Sequence, residues 1–145
     1  MTTAGHCLCR NIRYEFKGAP LWIAHCHCES CRRQTSSGMA TFVGVARKDL
    51  RYLSAEPTRF ESSPGTFRTF CPKCGSPITY ESEAKWPGEV HFHAGTLADP
   101  ASITPQSHVH TGEQLPWFEV LDGLPRYKQS STGAKPVAKD PPRHG

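Results

Sequence analysis

Apolar and polar positions alternate along most of this chain with the two-residue period of half-buried strands, not the 3.6-residue period of helices. Ile12, Tyr14 and Phe16 fall on one face, with Arg13 and Glu15 on the other. If that strand runs back to Cys7, then Cys7 and Cys9 share a face as well. Leu21-Trp22-Ile23-Ala24 reads as a short apolar strand, and Thr41-Phe42-Val43-Gly44-Val45 as one rich in β-branched and aromatic residues. Further short strands are expected over 51–53, 58–61, 66–70, 78–80 and 90–93. A single helical turn is expected over 29–34, stopped by Thr35-Ser36-Ser37-Gly38. With 13 prolines and 12 glycines, Pro, Gly or Ser punctuates nearly every gap, which favours short strands over long helices. The pattern predicts a mainly β fold, an antiparallel sheet structure with short helical turns.

At 145 residues the chain is long enough to bury its own core. The alternation ends near Tyr127, so one domain is expected over 1–127. Residues 128–145 carry almost no large apolar side chain and several prolines, and are expected to be a disordered tail. No apolar run approaches the roughly 20 residues that span a bilayer, and Met1-Thr2-Thr3-Ala4-Gly5-His6 lacks a signal-peptide profile. A cytoplasmic protein without a membrane partner is therefore expected, in a compartment where thiols stay reduced. A net charge of +4 with scattered Lys and Arg is ordinary solubility. A nucleic-acid partner would want a basic stripe with interleaved aromatics, and none is visible.

The reducing compartment decides how the seven cysteines are read. Tight Cys-x-Cys and Cys-x-x-Cys spacings in such a chain point to metal and not to disulfides. Phe70-Cys71-Pro72-Lys73-Cys74-Gly75 is a knuckle in which a tight turn aims two thiolates at one ion, and glycine after the second Cys supplies a positive φ. It needs two more ligands, and Cys7 and Cys9 are the available pair. A redox role for Cys71 and Cys74 would want a βαβ context, which is absent.

Cys26, Cys28 and Cys31 lie within six residues. Zinc with thiolates is four-coordinate, so three local sulfurs leave one position open, the mark of a catalytic rather than a structural ion. The competing reading is a second closed site with His25 or His27 as fourth ligand. In extended chain those histidines point away from Cys26 and Cys28, which favours the open site. Two zinc ions per chain are expected. Arg32 and Arg33 follow directly; they are either a solvated helix face or the holder of a substrate carboxylate. The pairs His91/His93 and His108/His110 read as sheet or loop lining, and Trp117 as core cover.

Taken in order, four segments resemble one family: Gly5-His6-Cys7-Leu8-Cys9, His25-Cys26-His27-Cys28-Glu29-Ser30-Cys31-Arg32-Arg33, Arg68 to Gly75, and Ala94-Gly95-Thr96-Leu97-Ala98-Asp99-Pro100. Leu115-Pro116-Trp117-Phe118 and Asp122 to Tyr127 add to the likeness. They are similar to the glutathione-dependent formaldehyde-activating enzymes, a family that includes centromere-protein-V-like proteins. The resemblance implies a β-tent fold, a structural zinc on Cys7, Cys9, Cys71 and Cys74, and a catalytic zinc on Cys26, Cys28 and Cys31. It also implies a carbon–sulfur lyase or synthase that forms or cleaves a thiol–aldehyde adduct such as S-hydroxymethylglutathione, with glutathione and an aldehyde as partners. Arg32 and Arg33 are the expected contacts to glutathione. A zinc-stabilised binding module without catalysis is the alternative.

Overall fold

The computed structural model describes residues 1–137. The described chain holds ten strands and one α-helix, with short 3₁₀ turns between them: β1 (Thr2–His6), β2 (Arg13–Lys17), β3 (Trp22–Cys26), α1 (Glu29–Thr35), β4 (Ala40–Ala46), β5 (Leu50–Tyr52), β6 (Thr58–Ser63), β7 (Thr66–Phe70), β8 (Pro77–Ser82), β9 (Glu89–His93) and β10 (Ser107–Val109). It is mainly β, as the alternation predicts. Two compact units divide it, Met1–Trp22 with Phe42–Thr104, and Ile23–Thr41 with the chain from Pro105 onward.

In the first unit β1, β2 and β5 form a three-stranded antiparallel sheet with β2 in the middle. Ile12, Tyr14 and Phe16 have no exposed surface, so the face chosen by the alternation is the core face. The Tyr14 ring stacks on Phe92 of β9 with centroids 3.9 Å apart, and its hydroxyl shares a 2.7 Å hydrogen bond with Thr96 Oγ1. That bond satisfies the one polar atom the ring carries inside. Strands β4, β9, β8, β7 and β6 follow side by side, all antiparallel. Val43, Val45, Val90 and Phe92 share one face and are buried, and Ile78 of β8 is buried as well. Strand β6 is exposed along its whole length, and its Arg59 and Glu61 keep that outer strand polar.

Gly44 of β4 lies against the Trp22 indole, where an added Cβ would fall 2.3 Å from a ring carbon. Two contacts hold Trp22 in place: its Nε1 donates to Glu89 Oε1 at 2.9 Å and its ring meets the edge of His91. Gly44→Ala is expected to cost about 1–3 kcal/mol, the usual penalty of overpacking. A denaturant titration that leaves the midpoint unmoved would show that the indole yields freely.

The second unit is built on β3, α1 and β10. β10 pairs with β3 in parallel, Ser107 opposite Ala24 and Val109 opposite Cys26, against the all-antiparallel expectation. Two other departures follow from local chemistry. The strand does not run back to Cys7: residues 7–12 turn instead, closed by Cys7 N–H to Ile12 O at 3.0 Å, with Arg10 at φ 67°. And β1, Thr-Thr-Ala-Gly-His, has too little apolar content to announce itself. Residues 128–137 carry backbone hydrogen bonds, among them His110 N–H to Gln129 O and Val137 N–H to Arg126 O. The rest of the expected tail, 138–145, lies outside the described residues. No described helix is long and apolar enough to cross a membrane.

Candidate metal centres

No disulfide joins any of the seven cysteines, which gather into the two groups expected from their spacing. In the first unit two turns face each other. One carries Cys7 and Cys9; the other carries Cys71 and Cys74 and is closed by Gly75 N–H to Cys71 O at 2.8 Å, with Gly75 at φ 78°. Only glycine takes that conformation without strain. Sγ of Cys9 lies 3.7 Å from Sγ of Cys7 and 3.7 Å from Sγ of Cys71. A tetrahedral zinc with bonds of about 2.3 Å sets its sulfurs about 3.8 Å apart, so the donor set fits such an ion. Backbone N–H groups of Ile12 and Lys73 point at the sulfurs of Cys7 and Cys71. Ser76 shares a 3.1 Å contact with Cys74 Sγ and accepts from Leu8 N–H, tying the two turns together. Its hydroxyl, then its backbone N–H, pulls the Cys74 thiol down to about 5. That favours at Cys74 the thiolate form a metal binds.

In the second unit β3 delivers Cys26, and Cys28 caps α1. The Cys28 sulfur accepts the N–H of Cys31 at 3.3 Å, taking the place of a serine oxygen at the cap. Cys26 and Cys31 are buried, with their sulfurs 3.6 Å apart. Again the spacing suits a zinc ion. The thiols of Cys26 and Cys31 hold Cys28 well below the ordinary cysteine range, and the same contacts push Cys26 up.

Neither candidate fourth ligand joins this trio. The ring of His27 turns to His108, Nε2 to Nδ1 at 2.8 Å, and His25 Nδ1 meets Thr41 Oγ1 at 2.8 Å. His108 continues through Nε2 to Asp122 Oδ2 at 2.8 Å, and Asp122 Oδ1 accepts from Leu124 N–H. His27 is fully buried, and that burial, helped by His108 and Arg126, lowers it to about 3, so its ring is neutral at pH 7. The sequence reading missed this chain of side chains. Its only trace was the repeated His-x-His at 25/27 and 108/110, whose members come together only through the β3–β10 pairing.

Arg32 and Arg33 stand on α1 and differ in freedom. Arg32 donates Nε to His27 O at 3.3 Å and Nη2 to Glu113 O at 3.2 Å. Arg33 pairs with Glu29 at 3.2 Å while its side chain stays 78% exposed. His91 and His93 are buried on β9 and belong to neither sulfur group; His91 Nε2 meets Glu89 Oε1 at 3.0 Å.

The fold and the two sulfur groups define a mainly β protein able to hold metal in two thiolate sites. The sequence profile of the family described as glutathione-dependent formaldehyde-activating enzyme matches residues 2–113, and the chain belongs to that family. No curated protein matches the chain at a significant level. Among solved structures, a crystal structure of a Rhodobacter sphaeroides protein is similar in fold, with a TM-score of 0.56 at 21% identity over 70% of this chain and 91% of that one.

Proposed function

We propose that the chain is a zinc-dependent carbon–sulfur lyase or synthase that forms or cleaves a thiol–aldehyde adduct of the S-hydroxymethylglutathione kind. The reading rests on family membership and on one observation: Cys26, Cys28 and Cys31 converge with three donors, whereas Cys7, Cys9, Cys71 and Cys74 offer four. The four-donor set is read as structural and the three-donor set as catalytic. Cys26, Cys28 and Cys31 would hold the zinc ion, which when bound would acidify a substrate thiol at its remaining position.

Cys26 and Cys31 fix that position from buried backbone, and Cys28 is set by the first turn of α1. Arg33 suits a glutathione carboxylate, because its exposed i,i+4 pair with Glu29 is worth only about 0.3–0.5 kcal/mol and is readily exchanged. Arg32, already donating to two carbonyls, is the less free of the two. In the forward direction the thiolate sulfur bonds to the aldehyde carbon and the C=O π pair moves to oxygen. That oxygen takes a proton from water. In the reverse direction the hydroxyl returns its proton to water, C=O re-forms, and the carbon–sulfur pair leaves on sulfur as the thiolate.

Cobalt-loaded protein offers the test. Glutathione is expected to strengthen the thiolate-to-metal charge-transfer band by adding a fourth sulfur, while S-methylglutathione, which has no ionisable thiol, leaves it unchanged. A spectrum unmoved by millimolar glutathione would sink the proposal in favour of a binding module.

A further inference from the structure

Outside both sulfur groups, His25, His108 and Asp122 bring their donor atoms within 4.8 Å of one another. We propose that these three side chains form a third metal site, for a borderline divalent ion such as zinc, cobalt or nickel, distinct from the cysteine sites. Two imidazoles and one carboxylate are the donor set such ions prefer, and they leave room for water ligands.

The surroundings carry the argument further than proximity. Ligating histidines nearly always engage their second ring nitrogen, which fixes the tautomer and aims the first. Both do so here. His25 commits Nδ1 to Thr41 Oγ1 at 2.8 Å, leaving Nε2 for an ion. His108 commits Nδ1 to His27 Nε2 at 2.8 Å and turns Nε2 toward Asp122. The carboxylate is held in the same way, Oδ1 accepting from Leu124 N–H at 3.0 Å while Oδ2 faces His108. Each of the three candidate ligands therefore has an outer partner on the atom an ion would not use.

The His108–Asp122 spacing is nearly right as it stands, and the His25 donor lies within 4.8 Å of both. Donors about 2.1 Å from one ion lie about 3.0–3.4 Å apart for octahedral to tetrahedral angles; His108 Nε2 and Asp122 Oδ2 are 2.8 Å apart. A few tenths of an ångström of opening admits the ion, with the single ring proton of His108 carried on Nδ1 toward His27 Nε2. His108 is completely buried while the Asp122 side chain is 29% exposed, so the group is anchored within the unit and open to water on one side. His25 and Cys26 are neighbours on β3 and take opposite faces, which separates this site from the three-cysteine group.

The test starts from full-length protein with both cysteine sites loaded with zinc, then adds Co²⁺. Thiolate sites select zinc over cobalt, so the added ion does not displace the resident ones. One further equivalent is expected, with visible d–d bands and no thiolate charge transfer. His25→Ala and Asp122→Asn are each expected to weaken it at least about 10-fold, with the zinc content of the cysteine sites unchanged. His110→Asn serves as control: His110 sits at φ 56°, which Asn tolerates, and its ring meets Glu113 instead. If no further equivalent binds, or if it binds with the same affinity in both variants, the site is refuted and the trio is a hydrogen-bonded brace only.

Discussion

Cys74→Ser is expected to unfold the unit made of residues 1–22 and 42–104, and to release the ion that Cys7, Cys9 and Cys71 would otherwise share. The size of the effect follows from what that ion joins. Cys9 and Cys71 stand 62 residues apart in the chain, so the site closes a long loop whose entropy the fold otherwise has to overcome. Closed structural zinc sites contribute about 10–16 kcal/mol, as much as a whole domain's net stability of about 5–15 kcal/mol. Losing even about 4 kcal/mol lowers the melting temperature of a chain this size by roughly 10 °C. Thermal melts followed by circular dichroism, with zinc counted in the same samples, make the comparison. A variant that melts at the parent temperature with one ion lost would strip this site of its structural role.

The grouping of Cys7, Cys9, Cys71 and Cys74 was largely legible in the residues, and other features were not. Cys71-Pro72-Lys73-Cys74-Gly75 announces its turn because two thiolates and a positive-φ glycine are needed within five residues, a constraint that is wholly local. The strands of the first unit were legible for a similar reason: Ile12, Tyr14 and Phe16 must all face inward, and a slip of one residue would turn every one of them to solvent. The parallel β3–β10 pair was hidden. It joins residues more than 80 positions apart through three-residue stretches too short to show a period. With it went the link from Asp122 through His108 to His27, since a hydrogen-bonded chain drawn from separate segments leaves no spacing to read. The Cys7–Cys9 segment misled in the opposite way. Two cysteines two apart fit a strand face, yet four sulfurs closing on one point need a bend, and Arg10 provides it.

Cys28→Ser is expected to abolish thiol–aldehyde chemistry while sparing the fold, which separates the two sulfur groups by function. Serine keeps what Cys28 does for α1, since its hydroxyl accepts the Cys31 N–H as the sulfur does, and serine is among the best helix caps. What serine cannot do is ligate zinc at neutral pH, because its hydroxyl holds its proton far more tightly than a thiol already drawn down by Cys26 and Cys31. Two thiolates remain, on a site designed for three. Disturbing only the outer partners of a metal ligand costs 10–100-fold in affinity or activity, so removing a ligand is expected to cost more than about 100-fold. The measurements are the zinc content, falling from about two ions per chain to about one, and the rate of adduct formation from glutathione and formaldehyde. The melting temperature should stay within a few degrees of the parent, since the four-cysteine site is untouched. A variant with one ion and the parent's rate would move the chemistry away from Cys26, Cys28 and Cys31, and leave their ion a structural one.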